Sequence, residues 1–213
     1  MAPRALYILI SAAAAVAAGA AAGAGLSAPL SCGGASGPSY AVWLDGAPLF
    51  SNPPALAVFM GGAWASGAWL VASAANVTGT DALGAYSGTE CAYAFAGAPG
   101  VVVFKAAAYT YAAPAAAPSA SLVRFRYELP QGAPATNHSA KPAAYSTVAN
   151  FPGFAGPGSP LPNVLTWRDA FFGPSNDVRD TRGQIASTVV FYGADVSARV
   201  AVLSPLDNFL NVR

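Results

Sequence analysis

The sequence predicts an all-β fold, an antiparallel β-sandwich that follows an N-terminal signal helix. Three observations support it. Short runs of β-branched and aromatic residues alternate with turn residues, and the 213-residue chain holds 22 glycines and 18 prolines. One run alternates strictly between apolar and polar positions, and no convincing amphipathic helix is present.

The first strands form a predicted hairpin. Tyr40–Leu44 and Ala47–Phe50 are two short apolar runs. The Asp45-Gly46 pair between them is typical of a tight turn, because glycine adopts positive φ without strain.

Further strands are expected along the chain. The clearest is 122–129, in which Val123, Phe125, Tyr127 and Leu129 fall on one face and the charged residues on the other. The other predicted strands are 69–72, 91–95, 101–111, 185–192 and 199–203. The alanines of 106–117 do not predict a helix, because Pro114 and Pro118 interrupt them. The Pro- and Gly-rich stretch 130–162 is expected to be a surface excursion that Phe151 and Phe154 hold down.

The chain begins with Arg4 and an apolar, alanine-rich run. A basic start, an apolar stretch and small residues near 20–24 are typical of a cleaved secretory signal. An uncleaved membrane anchor is the alternative, since the run is about as long as a bilayer span. We therefore divide the chain into a signal at 1–24, a flexible leader at 25–39 and a β-sandwich domain at 40–213, and we expect a secreted or extracellular protein with no stable membrane insertion after cleavage.

Composition excludes several classes of function. Charged residues make up 9% of the chain and the net charge is +1, so no basic surface is available for nucleic acid. Hydrolysis by a Ser-His-Asp triad is not expected, because His138 is the only histidine and lies in a predicted loop. No catalytic residue, metal site or cofactor is predicted.

Two cysteines, Cys32 and Cys91, follow the predicted cleavage site. In an oxidising compartment an even number of cysteines tends to pair, which predicts a disulfide between them; two unpaired thiols are the alternative. Asn76-Val77-Thr78 and Asn137-His138-Ser139 match the N-glycosylation pattern and are expected on exposed loops.

Candidate ligand contacts are Trp64, Trp167 and Asp81. The tryptophans are flanked by loop-like sequence and could present flat apolar faces to a sugar ring, although most tryptophans of a sandwich lie in its core. For Asp81 the simpler interpretation is turn chemistry, in which the carboxylate accepts a hydrogen bond from the local backbone.

Several short motifs resemble, in order, the N-terminal β-sandwich region of secreted α-galactosidase and raffinose-synthase-like glycoside hydrolases. They are Gly79-Thr80-Asp81-Ala82-Leu83-Gly84, Phe125-Arg126-Tyr127, Phe151-Pro152, Leu165-Thr166-Trp167 and Val202-Leu203-Ser204-Pro205-Leu206-Asp207-Asn208-Phe209.

The resemblance implies a carbohydrate-related, non-catalytic sandwich of the supersandwich-like type that packs against a catalytic barrel. Such a barrel needs about 250 further residues and is absent from this sequence, so the domain is expected to be truncated before it. The alternatives are a free-standing carbohydrate-binding or adhesion module and a structural surface protein.

Overall fold

The structure is a computed structural model, and all secondary structure in the part of the chain that it describes is β, without a helix. The described residues are 5–14, 25–51, 55–60, 63–112, 120–132, 149, 151–157, 161, 163–168, 171–175, 189–193 and 199–205. All strand pairs in this part are antiparallel, which confirms the predicted fold class at that level.

The strands are numbered in chain order. They are β1 (Ala5–Ala14), β2 (Leu26–Ser27), β3 (Leu30–Ser31), β4 (Ser39–Tyr40), β5 (Val42–Leu44), β6 (Ala47–Ser51), β7 (Ala57–Met60), β8 (Ala63–Ser66), β9 (Trp69–Asp81), β10 (Gly84–Phe95), β11 (Ala98–Tyr111), β12 (Ala120–Glu128), β13 (Ala155–Pro157), β14 (Asn163–Arg168), β15 (Phe171–Ser175), β16 (Val189–Tyr192) and β17 (Arg199–Pro205).

Nine of these strands form one sheet in the order β15-β14-β16-β17-β1-β12-β11-β10-β9. Strands β9 to β12 follow one another as a meander, and β16 pairs with β17. The alternation predicted for 122–129 is confirmed, since Val123, Phe125 and Leu129 are buried. The face that these residues share is the inner face of the sheet.

Strand β1 lies at the centre of this sheet, although the N-terminal segment that contains it was predicted to be a signal helix. Its residues pair with β12 on one side, as in Ile8↔Phe125, and with β17 on the other, as in Ile10↔Leu203. The physical reason is that Tyr7, Ile8 and Ile10 favour extended backbone, and a strand paired on both sides satisfies all of its backbone polar groups.

A four-stranded sheet has the order β13-β6-β5-β2. The predicted hairpin is its β5–β6 pair, and Asp45 and Gly46 both have positive φ, 52° and 75°. The segment expected to be a flexible leader instead contributes β2, β3 and part of β4, and it buries Leu26, Ala28 and Leu30. Apolar residues at alternate positions explain this, because every second side chain of an extended segment faces the same side.

One hydrophobic core joins the nine-stranded and four-stranded sheets. Phe50 of β6 contacts Phe191 of β16, with ring centroids 5.1 Å apart. Phe151 is buried against Phe125, and Phe154 packs between Phe50 and Phe125. The prediction that these two aromatics hold down the 130–162 stretch is confirmed for 151–154, while 133–148 lies outside the described residues.

Candidate functional site

The two cysteines form a disulfide, as predicted. Cys32 follows β3 and Cys91 lies in β10, with Cα atoms 5.5 Å apart. Cys91 is buried in the core and Cys32 packs against it. The bond ties the segment before β4 to the nine-stranded sheet, and a disulfide is typical of an oxidising, extracellular or secretory environment.

Asp81 ends β9 at the turn into β10. Its Oδ1 accepts a hydrogen bond of 2.8 Å from the backbone N–H of Leu83. Its Oδ2 accepts two more, each 2.8 Å, from the Tyr111 hydroxyl and the Arg124 guanidinium. Both carboxylate oxygens therefore have partners within the protein, which favours the turn interpretation of Asp81 over a direct ligand contact.

Hydrogen bonds and the charge of Arg124 determine the protonation state of the Asp81 carboxyl group. Burial alone would raise the pKa of its carboxyl group, but the bonds from Leu83, Tyr111 and Arg124 and the charge of Arg124 outweigh burial and lower it. The carboxylate is thus charged at neutral pH and stays paired with Arg124.

Arg124 is surrounded by three tyrosines on the outer face of the sheet, opposite the core. Its Cζ lies 5.8, 4.8 and 5.4 Å from the ring centroids of Tyr86, Tyr109 and Tyr111. We call these four residues and Asp81 the tyrosine–arginine cluster. A guanidinium within about 6 Å of an aromatic face is attracted by the ring quadrupole. The cluster therefore links side chains of β10, β11 and β12 to Asp81 at the end of β9.

Two tyrosines of the cluster, Tyr109 and Tyr111, are buried away from water. Burial, and then a hydrogen bond to Glu90, raises the pKa of Tyr109 to about 12. Burial, and then the bond to Asp81, raises the pKa of Tyr111 above its ordinary range. Both hydroxyls remain protonated donors near neutral pH, so neither is placed to act as a base.

Two glycines make room for the cluster. A Cβ on Gly79 would lie 2.6 Å from the Tyr86 hydroxyl, and a Cβ on Gly88 would lie 2.1 Å from the carbonyl oxygen of Ala108. The Tyr86 ring therefore lies over Gly79, an arrangement that stabilises glycine within a sheet, and Gly88 allows the β11 backbone that carries Tyr109 to approach β10 closely.

Trp64 lies on the hairpin of β7 and β8. It is 45% exposed, and its ring meets Phe59 on the paired strand edge-on, with centroids 5.5 Å apart. Trp167 lies in β14, and its side chain is outside the described residues. Trp64 belongs to the two-stranded sheet of β7 and β8, whereas Asp81 and Trp167 belong to strands of the nine-stranded sheet. The three predicted ligand contacts therefore do not share one sheet.

Asn76 is exposed, as expected, but it lies within β9 and not on a loop. Its Oδ1 accepts a hydrogen bond of 3.1 Å from the Thr89 hydroxyl on β10. Asn137 and His138 lie outside the described residues.

In the described ranges, no group of three or more His, Cys, Asp or Glu residues is placed to hold a metal ion. The same ranges contain no helix long and apolar enough to cross a membrane.

Comparisons of this chain with family models, with curated proteins and with solved structures found no match. The resemblance to glycoside hydrolases therefore rests on the sequence motifs alone.

The tyrosine–arginine cluster was not predicted from the sequence. A signal for it exists in the alternation of Tyr109 with Tyr111 and of Arg124 with Arg126, which places each pair on one face of its strand. Recognising that the two strands are neighbours would have brought the aromatic and guanidinium groups together.

Proposed function

We propose that this chain is an exported, non-catalytic β-sandwich domain that binds carbohydrate, with Trp64 as its main contact. The observation that carries the proposal is the exposed Trp64 ring, which Phe59 supports from the paired strand. A sugar ring presents apolar C–H groups on its faces, and an exposed tryptophan offers a flat surface of matching size.

The two-layer arrangement supports the sandwich. A single core holds residues from the nine-stranded sheet, such as Phe125 and Phe191, together with Val42 and Phe50 of the four-stranded sheet. Export is supported by the signal-like start of the sequence, the disulfide and the two N-glycosylation patterns.

Among the described residues, the hydrogen bonds of two carboxylates, Asp81 and Glu90, support a non-catalytic role. Asp81 is committed to Arg124 and Tyr111, and Glu90 accepts the hydroxyl of Tyr109. A glycosidase needs two carboxyl groups about 5 to 10 Å apart and facing the substrate. These two are occupied by structural partners.

A second candidate comes from the resemblance to glycoside hydrolases, in which the domain is the N-terminal part of a longer protein and packs against its catalytic barrel. The two candidates differ in the coding sequence beyond Arg213. A reading frame that continues into alternating strands and helices supports the second, and a stop codon removes it.

Binding to a glycan array tests the carbohydrate proposal. We expect Trp64→Ala to weaken binding of the best glycan about tenfold, the loss expected when about 1.4 kcal/mol of stacking is removed. Trp64→Phe should retain part of the affinity, and Val101→Ala, which truncates another exposed apolar residue, should retain all of it. Absence of binding to any sugar by the unmodified protein, or equal binding by Trp64→Ala, refutes the proposal. Trp167→Ala tests the second predicted tryptophan in the same assay.

A further inference from the structure

Strand β9 is an edge of the nine-stranded sheet, and among the described residues only β10 pairs with it. An edge strand presents unpaired backbone N–H and C=O groups to which another strand can add, and proteins usually protect such edges with lysine or proline. The opposite edge, β15, contains Pro174. Strand β9 contains no lysine, arginine or proline, and its one charged residue, Asp81, is paired with Arg124.

The exposed part of this edge is long. Every residue from Leu70 to Asn76 is exposed. The register with β10 is interrupted between the pairs Ala92↔Ser73 and Tyr93↔Val71, so the regular ladder runs from Ser73 to Asp81. A regular and accessible edge of this length, whose single charge is neutralised by Arg124, is a surface on which two copies of the chain can pair.

Asn76 lies next to the middle of the regular ladder, which falls at Val77. In a two-fold antiparallel pairing of two copies centred there, Asn76 of one copy would stand opposite Thr78 of the other. Residues that stand opposite each other in an antiparallel pair have Cβ atoms only about 4.5–5.5 Å apart, so an oligosaccharide on Asn76 of each copy would crowd Thr78 and the second oligosaccharide if the edges paired.

The chemistry of Asn76 suits such an attachment. Thr89 donates to Oδ1, and Thr78 completes the Asn-x-Thr pattern. In N-glycosylation the Nδ2 amide nitrogen forms a bond to C1 of a sugar, the bond from C1 to the diphosphate of a lipid-linked oligosaccharide breaks, and one amide proton is released. The Oδ1 oxygen remains a carbonyl oxygen and keeps its bond to Thr89.

We propose that an N-linked glycan on Asn76 covers the β9 edge and prevents two copies from pairing through it. The proposal rests on the export that forms part of the proposed function. It assigns the sequon a structural role, which accounts for an edge strand that carries no lysine or proline.

Four substitutions at two neighbouring positions test it. Thr78→Val removes the sequon and keeps a β-branched shape, whereas Thr78→Ser keeps the sequon. Asn76→Gln removes the glycan and leaves the edge uncharged, whereas Asn76→Lys removes the glycan and adds a charge that opposes edge pairing. Asn137→Gln, which removes the other sequon, is the control.

The proteins are secreted from glycosylating cells. Their masses are measured before and after endoglycosidase treatment, and their oligomeric state is measured by light scattering on size-exclusion chromatography. We expect a glycan at Asn76 in the unmodified protein. Thr78→Val and Asn76→Gln should self-associate about tenfold more tightly, while Thr78→Ser, Asn76→Lys and Asn137→Gln remain as monomeric as the unmodified protein.

Three results overturn the proposal: no glycan at Asn76 of the secreted protein, a Thr78→Val protein no more associated than Thr78→Ser, or association of Asn76→Lys equal to that of Asn76→Gln. The same samples are assayed for sugar binding. Loss of binding by every sample refutes the proposed function without affecting the assembly result, and absence of the protein from the medium refutes export.

Discussion

Breaking the Cys32–Cys91 disulfide should lower the free energy of unfolding by about 4 kcal/mol. The two cysteines are 59 residues apart. A closed loop of this size removes about 14 cal/mol/K of entropy from the unfolded chain, which corresponds to the stated value near room temperature. Because a domain is stable by only about 5–15 kcal/mol, this loss removes a large part of its stability.

Chemical denaturation of the oxidised and reduced protein measures the effect with the side chains unchanged. Cys32→Ala should have nearly the stability of the reduced protein, because losing either cysteine breaks the bond. Cys32→Ala/Cys91→Ala should be slightly less stable still, since Cys91 is buried in the core. Coincident unfolding curves for the oxidised and reduced protein would refute the reasoning.

Two further predictions concern the tyrosine–arginine cluster. Gly88→Ala should destabilise the protein by about 1–3 kcal/mol, because its Cβ would meet the carbonyl oxygen of Ala108 at 2.1 Å. Gly97→Ala is the matched control, since its nearest contact is at 3.9 Å, and equal denaturation midpoints for both variants would contradict the geometry. The lowered pKa of Asp81 means that its paired carboxylate stabilises the protein above about pH 4, and that this stabilisation is lost as the pH falls through the lowered pKa. Asp81→Asn should therefore have a lower melting temperature than the unmodified protein at neutral pH, with the difference shrinking in acid; a difference independent of pH would show that charge is not its cause.

Local pattern was sufficient to predict the strands whose partners are close in sequence. The alternation of 122–129 and the Asp45-Gly46 turn each describe one strand or one hairpin, and both are found in the structure. The disulfide was predictable because only one pair of cysteines exists.

Position within a sheet was not predictable in the same way. The apolar run at the start of the chain predicts a signal, with an anchor as the alternative, but a central strand buries a continuous apolar stretch as well. A central strand is distinguished by its pairing with β12 and β17, which are separated from it by more than a hundred residues.

In the candidate site, too, local contacts could be predicted from the sequence and contacts between distant strands could not. The turn chemistry of Asp81 could be anticipated from its neighbours, and the Leu83 N–H confirms it. The partners Tyr111 and Arg124 could not be anticipated, because they lie on β11 and β12 and not on the strand next to Asp81. The exposure of Trp64 depends equally on how its hairpin lies against the rest of the chain.

Because β1 lies at the centre of the nine-stranded sheet, cleavage of the predicted signal would change the structure of the protein as well as its destination. Cleavage after residue 24 would withdraw the fifth of nine strands and leave two separate four-stranded halves, one ending at β12 and the other at β17. The precursor and the processed protein would then be two different β architectures from one gene. N-terminal sequencing of the protein recovered from expressing cells and from their medium shows which of the two forms is present.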